Sequence, residues 1–131
     1  MKFYVASSFN NIDQVRYVCR KLKSLGHIHT YDWTQNERAS TLDDLKRIGQ
    51  LEKDAVAEAD LVLVILPGGK GSHIELGIAL GLNKKIILYS PDQTIYNFAT
   101  TSTFYHLPEV EKFIGTLDEL VDIFHPYVRK S

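Results

Sequence analysis

The sequence predicts a doubly wound α/β fold, in which a mainly parallel five-stranded sheet is covered by helices on both faces to give three layers. Three observations carry that expectation. Short β-type runs alternate with stretches of helical period along the chain. Residues 61–66 (LVLVIL) are apolar at every position, as in a central strand of a parallel sheet that is covered on both sides. A glycine-rich turn, PGGKGS at 67–72, leaves that run and leads into a helix, the strand–loop–helix order of a ligand-binding crevice at the carboxyl end of a sheet.

Each element has its own signal. Residues 2–6 (KFYVA) read as the first strand, ending in the turn residues Ser7 and Ser8. Val15, Val18, Leu22 and Leu25 fall at helical spacing within 11–25, and Gly26 is the stop. Residues 27–31 (HIHTY) alternate like a half-buried strand, and 32–40 (DWTQNERAS) form a polar loop. A second helix is expected over 41–59, with Leu42, Leu45, Ile48, Leu51 and Ala55 on one side. After LVLVIL come a helix over 72–82 and a strand over 85–89 (KIILY). Residues 90–107 combine Pro, Asp and Thr with aromatics, which suits a long ordered loop or a short helical insertion. Phe113 and Ile114 suggest a last strand. The pair Thr116 and Glu119 then forms a capping box that opens a final helix with Leu120, Val121 and Phe124. There is no internal repeat, low-complexity segment or linker, so residues 1–131 are read as a single domain of flavodoxin-like or Rossmann-like type.

Composition narrows the function classes. With 131 residues, 44% hydrophobic and 24% charged, the chain is long enough for a real core. A formal net charge of −1 gives no general pull toward nucleic acid or an anionic membrane, and neither is expected as a partner. The single cysteine, Cys19, excludes an internal disulfide and suits a reducing compartment. It also sits at core-like spacing, so it reads as a small buried hydrophobe rather than a nucleophile. The five histidines are scattered, and no metal-ligand spacing occurs. The N-terminus reads as a strand without the apolar length of a signal peptide, and no run approaches a membrane span, so a cytoplasmic location is expected.

The candidate site is the stretch PGGKGSHIELG, 67–77. Two readings compete. In one, Ser72 and Glu75 are a Ser-x-x-Glu capping box and the glycines only let the chain turn. In the other, Gly69 and Gly71 let the backbone approach a ligand and the free amides of the helix attract a polar or anionic group. Glu75, on the first turn and favoured as a carboxylate by the helix dipole, then faces a sugar anomeric carbon as a nucleophile. Ser7, Ser8 and the glycine loop line one crevice in this second reading.

Residues 59–89 (ADLVLVILPGGKGSHIELGIALGLNKKIILY) resemble the nucleoside 2-deoxyribosyltransferases and the related 2'-deoxynucleoside 5'-phosphate N-hydrolases. The resemblance rests on Ala59-Asp60, the apolar strand, the glycine loop, Glu75-Leu76-Gly77-Ile78-Ala79 and the basic Lys84-Lys85, together with FYVASSF near the N-terminus. It implies that Glu75 attacks C1' of the sugar and Tyr4 orients that carboxylate. Ser7 and Ser8 then lie near the sugar or its 5' substituent, with Gly69, Gly71, Ser72 and His73 around the substrate. Family members carry an aspartate eight residues before the Asp of the Ala-Asp pair. Glu52 holds that spacing here, and Asp54 lies two residues on. Those two point roughly 200° apart on a helix, so only one faces the crevice, and spacing favours Glu52. The alternative for both is a solvated helix surface; for His73 it is a solvent-facing residue of the first turn. The resemblance further implies a nucleoside or nucleotide substrate, a homodimer or larger assembly that completes the pocket, and no metal or organic cofactor.

PGG-x-G-(Ser/Thr)-x-x-Glu also resembles the signature of the cytokinin-activating phosphoribohydrolases, which release an adenine-type base from a riboside 5'-monophosphate. Their Arg-Lys pair is absent, since the corresponding turn reads Leu51-Glu52-Lys53-Asp54. A third reading is a non-catalytic sensor that binds a nucleotide in the same cleft without turning it over.

Overall fold

The computed structural model describes residues 1–125. Five strands, β1 (Lys2–Ser7), β2 (Ile28–His29), β3 (Leu61–Ile65), β4 (Lys85–Ser90) and β5 (Val110–Ile114), form one sheet in the order β2-β1-β3-β4-β5. Every pairing is parallel, with Tyr4 beside Val62, Ser7 beside Ile65 and Ile65 beside Tyr89. Helices α1 (Ile12–Ser24) and α4 (Leu117–Asp122) pack together on one face. Helices α2 (Leu42–Glu58) and α3 (Lys70–Gly81) pack together on the other. Strand order reverses between β1 and β3, so the loops leaving those two strands flank the crevice where such folds hold ligands.

The core follows the pattern of the sequence. Every residue of LVLVI in β3 is buried, as are Phe3, Tyr4, Val5 and Ala6 of β1. Val15, Val18, Cys19 and Leu22 carry the buried face of α1, and Gly26 takes a φ of +92°, a backbone state that glycine adopts without strain. Thr116 Oγ1 accepts from the Glu119 amide at 3.1 Å while Glu119 Oε1 accepts from the Thr116 amide at 3.0 Å, completing the capping box of α4.

Three elements differ from expectation. Strand β2 spans only two residues at the sheet edge, and its alternation is reversed: Ile28 is exposed, whereas His29 turns inward and stacks on Phe3 at 4.7 Å. Of the stripe on α2, only Ala55 enters the core. Ala55 and Val56 are the helix's buried residues, while Leu42 is 76% and Leu45 57% exposed, because the helix meets the sheet only near its C-terminal end. The third difference bears on the site. Helix α3 begins two residues earlier than the spacing suggests, with Gly69 as its N-cap. Between β4 and β5 the chain makes two short 3-10 turns, Gln93–Tyr96 and Thr103–His106.

Candidate active site

The early start of α3 changes what its side chains do. Ser72, the third helical residue, accepts from the Gly69 amide at 2.7 Å and donates to the Gly69 carbonyl at 2.9 Å. The cap of α3 is thus closed by Ser72 within its own turn, and Glu75 takes no part in it. The capping-box reading of Ser72 and Glu75 is therefore corrected. Gly68 is the glycine that close packing requires, since a Cβ there would stand 2.5 Å from Ser72 Oγ. Gly71 opens onto free space, and Gly69 has only Ser8 Cβ at 3.9 Å.

Released from the cap, Glu75 reaches inward. It is 6% exposed, and its Oε2 accepts a hydrogen bond from the Tyr4 hydroxyl at 2.5 Å. That hydroxyl also lies 3.3 Å from Oε2 of Glu52, half-buried on α2. Three elements thus meet at one phenol: β1 supplies Tyr4 because side chains alternate faces along a strand, α3 supplies Glu75, and α2 supplies Glu52. Burial pushes the Glu75 carboxyl up to about 8; the Tyr4 hydrogen bond opposes that rise, and the charge of Glu52 adds to it. The Tyr4 phenol is likewise pushed far upward, first by burial and then by the Glu75 carboxylate, so it stays a proton donor. The expected help from the helix dipole is corrected, because Glu75 lies beyond the first turn, where that field has faded.

The other residues singled out by sequence divide clearly. Asp54 stands outside the cluster, exposed and accepting from Gln50 Nε2 at 2.8 Å; the two acids on α2 face different ways, and Glu52 is the one at the crevice. Ser7 spends its proton on the Ile65 carbonyl at 2.7 Å and accepts from Asn11 Nδ2 at 3.1 Å. Ser8 Oγ accepts from the Asn10 amide at 3.2 Å. His73 leans away from Glu75. Its Nδ1 is 2.7 Å from the Gly69 carbonyl and so carries the proton, leaving Nε2 to accept from the Tyr105 hydroxyl at 2.5 Å.

Sequence reasoning missed several neighbours. Asn11 Nδ2 also donates to the Pro67 carbonyl at 2.8 Å and so ties the loop after β1 to the loop after β3. A lone tryptophan inside the polar run DWTQNERAS was the one available signal for Trp33, which packs against Phe9 with ring centroids 5.3 Å apart. Those two rings, with Ala39, Leu45, Ile48 and Glu52, line a hollow of about 480 Å3 beside the cluster. A second cavity, of about 470 Å3, lies on the other side of the glycine loop between His73, Ser90 and Tyr105. Among the described residues no group of three or more His, Cys, Asp or Glu side chains is placed to hold a metal, and no helix is long and apolar enough to cross a membrane.

A parallel α/β sheet with a carboxyl–phenol–carboxyl cluster at its switch point has the layout of a small-molecule site. The chain belongs to the nucleoside 2-deoxyribosyltransferase family, whose sequence model matches residues 3–118. No curated protein matches it. Among solved structures it is similar to a CMP N-glycosidase of Clostridium botulinum, with a TM-score of 0.64 at 19% identity, covering 95% of this chain and 98% of that one. It is also similar to a 2-deoxyribosyltransferase of Bacillus psychrosaccharolyticus (TM-score 0.62, 18% identity, 93% and 91% covered). A third neighbour is a conserved protein of Enterococcus faecalis V583 (TM-score 0.65, 16% identity, 93% and 95% covered).

Proposed function

We propose that this protein cleaves the N-glycosidic bond of a nucleoside or its 5'-monophosphate through a covalent intermediate on Glu75. One observation carries the reading: a buried carboxyl held at 2.5 Å by a phenol that also lies 3.3 Å from a second carboxyl. Ionised Glu75 attacks C1', the C1'–N bond breaks, and its electron pair leaves with the base, which takes a proton from Glu52. Water then attacks C1', gives its proton to Glu52 and frees Glu75; in the transfer version a second base attacks in place of water. Glu75 becomes the nucleophile as it loses its proton, and because burial lifts its carboxyl to about 8 the ionised form grows in as pH rises through neutrality. A Cβ at Gly71 would meet nothing within 4 Å, which leaves room beside the N-terminus of α3, where helix amides attract a polar or anionic 5' group. The C. botulinum neighbour, named as acting on CMP, makes a 5'-monophosphate the first substrate to try.

The test is release of free base from ribo- and deoxyribonucleosides and their monophosphates, followed by chromatography. Wild type releases base, and Glu75→Ala with an unchanged circular dichroism spectrum does not; an equally active Glu75→Ala rules out the nucleophile. The chain also acts as a homodimer or larger assembly in this reading, supported by the exposed Leu42 and Leu51 of α2 and Ile74 of α3 on one layer. A monomeric mass in sedimentation equilibrium would remove that part.

A further inference from the structure

Asn11 stands at the N-cap of α1, a position for which asparagine is among the best residues, yet its side chain makes no capping bond. Both protons of its amide go elsewhere. Nδ2 donates to the Pro67 carbonyl at 2.8 Å and to Ser7 Oγ at 3.1 Å. Ser7 Oγ in turn donates to the Ile65 carbonyl at 2.7 Å, and the Asn11 backbone amide closes its own turn onto the Ser8 carbonyl at 2.9 Å. A side chain withdrawn from the stabilising role its position offers has been given another. Here that role joins the loop after β1 to the glycine loop before α3, just past the point where Ser7 pairs with Ile65.

The tether falls where the chain can least hold itself. Two adjacent glycines, Gly68 and Gly69, leave the backbone after Pro67 with wide conformational freedom. The bonds from Ser72 and His73 to Gly69 stay within the same turn, so they shape the loop without fixing it to β1. Among the described residues, Asn11 is the one side chain of the β1 loop that hydrogen-bonds the glycine loop. Ser8 adds only a contact, its Cβ lying 3.9 Å from where a Cβ on Gly69 would stand. Glu75 is held by a different set, through the Tyr4 phenol that also meets Glu52. The two ends of the crevice are thus fixed independently, the carboxyl end by Tyr4 and the glycine-loop end by Asn11.

We propose that Asn11 is a positioning residue: by gripping the Pro67 carbonyl it sets the gap between the two loops, and so the place of the first turn of α3 against the 5' group of the substrate. That group's identity rests on the function proposed above; the tether does not. Two variants of the full chain, both checked by circular dichroism, separate tether from cap. Asn11→Ser keeps a good N-cap for α1 and adds no charge, but it is one bond shorter and gives up Pro67; Asn11→Ala gives up both roles. Hydrogen exchange of the amides over 68–72 should quicken by at least about tenfold in both variants, whereas exchange in α1 should quicken only in Asn11→Ala. Ribose 5-phosphate and its 2-deoxy form carry no base and no bond to cleave, so calorimetry with them reads the hold on the phosphate alone. Their Kd should rise by about tenfold or more in both variants. Base release from nucleoside 5'-monophosphates should lose a similar factor in kcat/KM, mainly through KM, because Glu75 is held separately. If Asn11→Ser matches wild type and only Asn11→Ala departs from it, Asn11 is an ordinary cap and the inference fails. It fails equally if wild type binds neither sugar phosphate, or if exchange quickens with Kd unchanged. No base release from wild type, with both variants still weakened in Kd, sinks the catalytic reading and leaves the tether standing; release by wild type with KM unmoved in both variants does the reverse.

Discussion

Phe3 and Tyr4 are consecutive residues of β1, yet the polar clusters they touch behave in opposite ways. On the Phe3 face, His29 stacks on the phenyl ring and brings Nε2 to 3.6 Å from Cys19 Sγ. On the Tyr4 face, the phenol meets Glu75 and Glu52. Burial acts on both. It pushes the Cys19 thiol up to about 12 and the His29 imidazole down to about 4, so both rest neutral at any ordinary pH and nothing moves. The same force lifts Glu75 to about 8, which leaves a proton exchangeable near neutrality. A thiol and an imidazole are silenced by burial. The Glu75 carboxyl is poised by it.

The largest effects should come from Glu75→Gln. Base release should fall by at least about a thousandfold, as for the loss of a nucleophile. Stability should move the other way, and its sign depends on pH. The folded-state value of Glu75, about 8, lies above its ordinary 4.5. Below 4.5 the group is protonated in both states and costs nothing. Between 4.5 and 8 the unfolded chain ionises while the fold holds the proton, so stability drains away as pH rises and levels off above 8. Glutamine removes that loss. Thermal melts of the two proteins at pH 5, 7 and 9 should show a gap in Tm that widens with pH in favour of Glu75→Gln. A constant gap would mean that the carboxyl is not held in the way the comparison requires.

The next effects sharpen the roles within the cluster. Tyr4→Phe removes the donor that opposes the rise at Glu75, so the ascending limb of kcat/KM against pH should shift to higher pH, with kcat reduced by about tenfold or more. Glu52→Gln should lower kcat by about 10²–10⁴-fold through loss of the acid, whereas Asp54→Asn, two residues away on the outer face, should leave it unchanged. Equal losses at 52 and 54 would show that spacing along α2 misidentified the working carboxyl.

How far these residues could be seen in the sequence depends on the range of the interaction. The strand LVLVIL was legible because burial on both faces leaves no polar position to confuse it. Tyr4 and Glu52 came into view only through the spacing of a family pattern, since the contact that joins them spans 48 residues. The start of α3 was misread because Ser72 and Glu75 mimic a capping box, while the true cap is a backbone turn at Gly69 closed by the Ser72 hydroxyl. The stripe of α2 was legible only as a shared side of the helix. Its periodicity is real, but a helical period says which residues share a side and not whether that side meets the sheet or the hollow beside Glu52.

The smallest effect on activity should come from the other face of β1. Cys19 and His29 look like a catalytic pair by proximity alone, and Asp32, whose charge acts on both, completes the outline of a triad. Its chemistry is absent because a thiol raised to about 12 supplies no thiolate. Cys19→Ala should therefore leave base release unchanged while costing about 1 kcal/mol of stability from lost packing. Alkylation by iodoacetamide at pH 8 should be slow in the folded chain and fast in denaturant. Rapid labelling of the native protein together with loss of base release would reverse the comparison, making the Phe3 face the reactive one and the carboxyl cluster the inert one.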